Sequence, residues 1–321
     1  MTEAAVDISN SLLPFPWQKQ LWRSLNDRIE SQRLPHAIIL NGLEGVGAEH
    51  LAYALAYRML CSQVDNGVPC GQCSGCLTLN AGSHPDFYLL SPQEKSKFIK
   101  VDQIRQLCES VAKTSQQGGW KVAVIAPAEA MNIASSNALL KSLEEPESNT
   151  LIILVSSRLS AIPMTIRSRC QIESLAIPSS DIAQSWLSQQ IEDTQVNISE
   201  ALEIANGKPL LALDYITGTG FESRQHVESL LDAMRYSDET PFAAAQACQK
   251  YPPEDLVAWI LSYVHRLMVS ELKNNPKPAL FVFLDKLIKA RAWLLSGSPL
   301  NTQLLWEELF IEWVQIFQIK K

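Results

Sequence analysis

Four cysteines in one short segment have the residue type and spacing of a metal site. Cys61, Cys70, Cys73 and Cys76 follow the pattern C-x₈-C-x₂-C-x₂-C. A structural zinc ion takes four thiolates in a closed tetrahedron, with bonds of about 2.3 Å. Proline and glycine between the cysteines supply the tight turns that let neighbouring thiolates converge. The segment 61–76 is therefore predicted to form a structural zinc module.

Besides chance clustering, the cysteines have two other interpretations. Iron–sulfur ferredoxins use a related run but need further ligands in a different order. A thioredoxin-type redox site uses two cysteines rather than four. The acidic N-terminus, residues 1–7, has no apolar core of a secretory signal, so we expect a cytoplasmic protein with reduced thiols. Zinc is the favoured ligand, and the isolated Cys108, Cys170 and Cys248 are interpreted as small packed residues.

A glycine-rich loop precedes the cysteines, but it lacks the lysine that a phosphate-binding loop normally carries. Residues 42–49 read GLEGVGAE, which we call the phosphate loop because Gly42 and Gly47 have the spacing of G-x-x-x-x-G-K-[ST]. Ala48 stands at the lysine position, and Glu49 stands at the hydroxyl position that would bind Mg²⁺. A carboxylate there would repel phosphates. The scaffold is that of a nucleotide-binding protein, but no bound ATP is expected.

The remaining parts of a nucleotide-hydrolysing site are also incomplete. Ala126 and Pro127 follow the strand ending at Ile125, where such an enzyme needs an acidic residue for Mg²⁺. Glu129 is close by but is expected to begin the next helix, where a carboxylate suits the helix dipole. Arg169 lies in a later loop. From spacing alone it is either a solvated or salt-bridged arginine, or an arginine finger acting on a neighbour's γ-phosphate.

Composition and periodicity predict a multi-domain α/β protein. The chain has 321 residues, 46% hydrophobic and 19% charged, with a net charge of −7. That balance excludes a surface that binds nucleic acid throughout, although a local basic face stays possible. No apolar run reaches the length of about 18 residues that suggests a membrane span. Strands are predicted at 36–40, 87–90, 122–125, 151–155 and 171–175, alternating with helices that include 129–144. After residue 178 the periodicity is helical.

Several short motifs occur together in one order, and their combination resembles the clamp-loader branch of the AAA+ family. The resemblance is dense over residues 17–178 and rests on length and helicity beyond them. The motifs are LPHA at 34–37, the inserted cysteine knuckle, HPD at 84–86, NALLKSLEEP at 137–146 and SRC at 168–170. The resemblance implies a RecA-like AAA+ domain with a four-cysteine zinc module (1–177), a small helical lid domain (178–218) and an all-helical C-terminal collar domain (219–321).

The resemblance also implies a role within a larger machine. Members assemble into a five-subunit ring that opens a sliding clamp and places it on primed DNA for DNA polymerase III. The implied partners are the ATPase subunits and the clamp-opening delta subunit, with the clamp and DNA reached through the complex. Motor subunits also carry a strand-tip acidic pair and a lid arginine, where this chain has Ala126-Pro127 and Leu210. A non-hydrolysing subunit that supplies Arg169 in trans is therefore the expectation, with no intrinsic ATPase or polymerase site.

Two other functions remain as alternatives. An active ATPase with a divergent phosphate loop would need a replacement cation, and His50 is the one basic residue within 42–51. A zinc-knuckle module that binds nucleic acid should show basic and aromatic residues among its cysteines. The segment 61–76 contains neither kind, so the clamp-loader interpretation is favoured over both.

Overall fold

The computed structural model describes residues 13–93, 96–191, 197–218, 220–236, 238–271, 277–295 and 301–318. The predicted absence of a secretory signal concerns residues 1–7, which lie outside the described part. Backbone packing divides the chain into two compact units, Met1–Leu213 and Asp214–Lys321. The finer three-domain division at residues 177 and 218 stays a prediction.

A five-stranded parallel sheet organises the first unit, which confirms the α/β prediction. Its spatial order is β2-β3-β4-β1-β5, and all four pairings are parallel. The strands are β1 (Ala37–Gly42), β2 (Phe87–Leu90), β3 (Lys121–Ile125), β4 (Thr150–Ser156) and β5 (Gln171–Leu175). Because the strands run in one direction, their carboxyl ends share one edge of the sheet and their amino ends share the other.

The central strands are mostly apolar because helices cover both faces of the sheet. Every residue of β3 and β4 is buried. Alternation places Ile38 and Leu40 in one hydrophobic core and Ala37 and Ile39 in the other. The first core packs against α1 and α2, and the second packs against α4 and α5. The helices of this part are α1 (Lys19–Glu30), α2 (Ala48–Leu60), α3 (Ser74–Asn80), α4 (Val101–Val111), α5 (Ile133–Glu144), α6 (Met164–Arg167), α7 (Ser180–Gln190) and α8 (Ile198–Ile204), and the boundary between the units falls within α9 (Pro209–Thr217).

The predicted helix over 129–144 begins later than expected. A short 3₁₀ turn covers Ala128–Ala130, Met131 is extended, and α5 starts at Ile133. Asn132 is the N-cap, and its side chain accepts a hydrogen bond from the backbone N–H of Ser135 at 2.8 Å. A capping asparagine favours a new helix start over continuation of the preceding turn. The predicted stop before Pro146 is confirmed, since α5 ends at Glu144.

Helices form the described part of the second unit around one hydrophobic core. Trp313 lies at its centre, fully buried, with its indole N–H donating to the carbonyl of Leu231 at 2.9 Å. Tyr263, Phe283 and Phe317 contact its ring. The helices are α10 (Gly220–Arg235), α11 (Pro241–Cys248), α12 (Pro253–Glu271), α13 (Pro278–Leu295) and α14 (Thr302–Gln318). Across the described residues, no helix combines the length and apolar character needed to span a membrane.

The packing of Trp313 predicts a large stability effect. We expect Trp313→Ala to lower the free energy of unfolding by about 3–5 kcal/mol, because it leaves a cavity and removes the hydrogen bond to Leu231. The matched control is Trp293→Ala on α13, where the side chain is 55% exposed. That change should stay within about 0.5 kcal/mol. Urea denaturation of the full chain, followed by circular dichroism, measures both, and equal losses would contradict the packing account.

Candidate functional site

The four cysteine thiols converge at the end of α2. Cys61 follows the last residue of α2, Cys73 is the N-cap of α3, and Cys76 lies in the first turn of α3. The four sulfur atoms lie within 4.8 Å of one another. The Sγ atom of Cys61 is 3.6 Å from that of Cys70 and 3.8 Å from that of Cys73. A tetrahedron with metal–sulfur bonds of about 2.3 Å has sulfur–sulfur edges of about 3.8 Å, so the spacing fits one zinc ion.

Backbone N–H groups surround these sulfur atoms and favour thiolates. Cys70 donates its N–H to Cys61 at 3.3 Å, and Cys76 donates to Cys73 at 3.4 Å. Burial would raise the pKa of the Cys73 thiol, but hydrogen bonds from Cys76 and Ser62 lower this pKa to about 5. Burial raises the pKa of Cys76. A thiolate is the form of cysteine that binds metal. The predicted metal ligands are thus brought together in a geometry that could hold zinc.

The phosphate loop connects β1 to α2, as the sequence predicts. Gly42 ends β1, and Gly47 is the N-cap of α2 with φ of 79°. Gly45 also has a positive φ, 85°, which favours glycine over residues with a side chain. The loop therefore has the backbone of a strand–loop–helix phosphate site, in which backbone N–H groups at the helix N-terminus would face a phosphate.

Residues 15–18 lie against this loop. Trp17 donates its indole N–H to the carbonyl of Val46 at 2.9 Å. The side-chain amide of Gln18 donates to the carbonyls of Val46 and Gly47, at 3.0 and 2.8 Å. The ring of Phe15 is so close to Gly47 that a Cβ atom there would lie 2.6 Å from two ring carbons. The loop is thus held by hydrogen bonds and ring contacts from its own chain.

The beginning of α9 packs on Gly45 of the loop. Leu210 donates its backbone N–H to the carbonyl of Gly45 at 3.1 Å. The side chain of Leu211 packs on Gly45, where a Cβ atom would lie 2.5 Å from its Cγ. Leu210 is the residue that the resemblance aligned with the lid arginine of a motor subunit. It is buried and apolar, and it offers the loop no positive charge.

The side chains that begin α2 supply no cation for a phosphate. Ala48 is buried, and burial raises the pKa of the Glu49 carboxyl. His50 is buried, stacks on Phe15 with ring centroids 4.0 Å apart, and donates from Nε2 to the carbonyl of Leu13 at 2.8 Å. Burial lowers the pKa of His50, so the ring is neutral at pH 7. The one basic side chain within residues 42–51 is therefore uncharged and already bonded.

The two residues that directly follow β3, Ala126 and Pro127, carry no carboxylate. Ala126, which directly follows the strand, is buried. Glu129 lies in the 3₁₀ turn rather than at the start of a helix, which corrects the expected position of this residue. Its Oε1 atom accepts hydrogen bonds from the backbone N–H and the hydroxyl of Ser157, at 3.1 and 2.8 Å. Glu129 thus joins the ends of β3 and β4.

Arg169 lies at the sheet edge opposite the phosphate loop. It comes two residues before β5, whose first residue Gln171 pairs with Ile38, whereas Leu175 pairs with Gly42 at the loop. The four residues from Gln171 to Leu175 span about 13 Å of parallel strand, and this distance separates the start of β5, near Arg169, from the phosphate loop. The guanidinium therefore points to no phosphate that its own loop could bind. Its side chain is 35% exposed.

The guanidinium of Arg169 is fixed by neighbouring groups. Its Nε atom donates to Oε1 of Glu144, the last residue of α5, at 2.8 Å. Its Nη2 atom forms an ion pair with the same oxygen. Its Nη1 atom donates to the carbonyl of Thr165 at 2.9 Å and lies 3.3 Å from the hydroxyl of Ser168. The salt-bridged interpretation of Arg169 therefore holds for the single chain, and it leaves a finger role open.

The predicted site residues form three separate groups. The cysteines form one, the phosphate loop forms a second at the carboxyl edge of the sheet, and Arg169 forms a third at the amino edge. The contacts that Phe15, Gln18 and Leu211 make with the loop are not evident from the sequence. Glu144 belongs to a motif of the sequence, but the motif alone indicates no role for it. These contacts join residues distant in sequence, and the sole local signal was a tryptophan–glutamine pair before α1.

Comparison with known proteins agrees with this geometry. The family model described as "DNA polymerase III, delta subunit" matches residues 17–179. DNA polymerase III subunit delta' of Pseudomonas aeruginosa is 31% identical, with 94% of this chain and 98% of the relative aligned. The same subunit of Escherichia coli K12 is 30% identical, with 92% and 94% aligned.

A solved structure supports the fold. The gamma subunit-related protein of Thermotoga maritima superposes with a TM-score of 0.58 at 15% identity, covering 94% of this chain and 100% of that protein. The predicted α/β fold, a parallel sheet covered by helices, is thereby confirmed. Since its relatives align over nearly their whole lengths, the chain belongs to the family of DNA polymerase III delta' subunits.

Proposed function

We propose that this chain is the non-hydrolysing subunit of a bacterial clamp loader and supplies Arg169 to ATP bound by a neighbouring subunit. The observation that carries the proposal is the separation of two features on one sheet. The phosphate loop is covered by its own chain at the carboxyl edge, and a fixed arginine is presented at the amino edge. The complex would act in the cytoplasm, where it helps to place a sliding clamp on primed DNA.

The loop contacts favour a subunit that binds no ATP. Residues 15–18 occupy carbonyls of the loop, and Leu211 packs on Gly45. A bound triphosphate would meet the carboxylate of Glu49 and would find neither lysine nor Mg²⁺ ligand. An ATPase with a divergent loop would need a replacement cation, and the buried, neutral His50 is poorly placed to be one.

The surroundings of Arg169 favour contact with another subunit. Met164, in the short helix just before it, is 67% exposed. An exposed apolar side chain beside a fixed arginine is typical of interface cores, which are enriched in methionine and arginine. An arginine finger stabilises the charge that develops on a transferred phosphoryl group. The amino edge of the sheet would thus face the nucleotide of an ATPase subunit.

The second unit offers an apolar face for assembly with the other subunits. Phe281, Val282, Ile288 and Trp293 on α13 are each between 47% and 60% exposed. Their spacing brings them to one side of the helix, away from the buried Leu280 and Leu287. Clustered exposed apolar residues mark interaction surfaces. We propose that this unit is the collar that joins the ATPase and delta subunits in a hetero-pentamer.

Zinc completes the proposal as a structural ion. Cys61, Cys70, Cys73 and Cys76 would hold it with no open coordination position, so it would contribute stability and no chemistry. The module is joined to the body of the unit through Asn26 on α1. The side chain of Asn26 accepts a hydrogen bond from Arg58 at 2.7 Å and lies against Gly67.

The covered loop predicts that the isolated chain binds no nucleotide. Calorimetric titration with ATP and Mg²⁺ should show a Kd weaker than about 1 mM, which is less than about 4 kcal/mol of binding free energy. The purified ATPase subunit of the same organism is the positive control. Micromolar binding by this chain would mean that the loop opens to nucleotide, and the active-ATPase alternative would take its place.

Arg169→Ala should slow hydrolysis at a neighbour's site. In the assembled complex, one phase of single-turnover ATP hydrolysis should become about 10³-fold slower. An arginine finger accelerates hydrolysis by about this factor because it stabilises the transition state. Arg105→Ala is the matched control, since Arg105 is a surface arginine paired with a carboxylate, that of Asp102. Unchanged hydrolysis in a fully assembled Arg169→Ala complex would disprove the trans role.

Loss of zinc should destabilise the first unit and leave the chemistry of a correctly assembled complex intact. Elemental analysis should find about one zinc per chain. Cys73→Ser should lose the metal and lower the melting temperature, because metal binding to such a site is coupled to folding. Cys108→Ser, outside the cluster, is the control and should keep the metal. A zinc-free protein that melts at the wild-type temperature would contradict a structural role.

A further inference from the structure

We infer that Glu144 is a positioning residue for Arg169: it holds the guanidinium in the orientation in which it meets a neighbour's γ-phosphate. This inference rests on the proposed function and deepens it. The contact joins the end of α5 to the loop before β5, two segments that both lie at the amino edge of the sheet.

The hydrogen bonds fix the plane of the guanidinium from two sides. The Oε1 atom of Glu144 contacts both Nε and Nη2, and the carbonyl oxygen of Thr165 accepts a hydrogen bond from Nη1. A guanidinium has five N–H donors in a planar fork, and Nη1 also donates to the hydroxyl of Ser168, so these contacts leave one N–H, on Nη2, free at the outer edge. Because the side chain is only partly buried, it would sample several rotamers without Glu144, and few of them would present that edge outward.

The alternative for this ion pair is an ordinary surface salt bridge. Glu144 is 49% exposed and Arg169 35% exposed, and pairs in such positions contribute little to stability. A purely structural pair would therefore give a small effect on melting and none on hydrolysis. A positioning role predicts the same small effect on melting but slower hydrolysis, because a catalytic arginine that is misplaced or mobile loses transition-state stabilisation. The two interpretations are separated by kinetics rather than by stability.

The location of Glu144 also distinguishes it from its neighbour. Glu144 is the last residue of α5, and Glu145 is the C-cap residue, held through its backbone N–H to the carbonyl of Lys141 at 2.9 Å. Both side chains are exposed carboxylates, but it is Glu144 that contacts Arg169. Removing either one changes the local charge equally. Glu145→Ala is therefore the matched control for Glu144→Ala.

The test uses the full chain assembled with the ATPase and delta subunits of the same organism, the clamp and primed DNA. Glu144→Ala should slow the hydrolysis phase assigned to Arg169 by about tenfold. The ATP concentration for half-maximal rate should not change, because the finger acts in the transition state. Glu144→Gln, which keeps an oxygen acceptor for Nε, should retain most of the rate. Glu145→Ala should match wild type.

A double variant separates failure of this inference from failure of the proposed function. Glu144→Ala combined with Arg169→Ala should be as slow as Arg169→Ala alone, since Glu144 acts through Arg169. If Glu144→Ala hydrolysed ATP at the wild-type rate or faster while Arg169→Ala was slow, the positioning role of Glu144 would be overturned. The finger role of Arg169 would still stand. Glu144→Gln as slow as Glu144→Ala would also overturn it. A normal rate in Arg169→Ala would overturn the proposed function itself.

Discussion

The phosphate loop of this chain is packed by its own side chains, and this constraint determines what the rest of the sheet can do. Phe15 and Leu211 contact the two glycines with positive φ, and Gln18 binds the loop carbonyls. Such contacts bring together the segment before α1, the loop and the start of α9. They give the first unit a fixed arrangement around the place where a motor subunit would respond to ATP. A loop used as a packing surface needs glycine where other side chains approach closely, which accounts for Gly45 and Gly47.

The parallel sheet separates this packed loop from the fixed arginine presented at the other edge. Loops that follow strands lie at the carboxyl edge, and Arg169, which precedes β5, lies at the amino edge. The helix α5 runs back across the sheet and brings Glu144 to the same edge. A single fold thus has a phosphate loop packed by its own side chains at one edge of the sheet and a fixed arginine at the other. In the proposed ring, each head-to-tail contact would place the amino edge of one subunit against the nucleotide of the next.

Much of the framework could be predicted from the sequence, because its signals are local. The apolar runs of β3 and β4 follow from burial on both faces, and the turns between the cysteines follow from their spacing. The start of α5 was misjudged because periodicity continues through the 3₁₀ turn, whereas Asn132 restarts the helix by capping. The cover over the loop could not be predicted, since Phe15 and Leu211 reach it only through tertiary packing. The partners of charged side chains are likewise set by which elements the topology brings together.

The central claim is that this subunit contributes an arginine to a nucleotide that it does not bind. The most direct measurement is a cryo-electron microscopy structure of the assembled complex with a non-hydrolysable ATP analogue. The account predicts Arg169 at hydrogen-bond distance, about 3 Å, from the γ-phosphate held by a neighbouring subunit. It also predicts that residues 42–49 of this chain hold no nucleotide. An analogue bound at this loop, or Arg169 directed away from every nucleotide, would contradict the account.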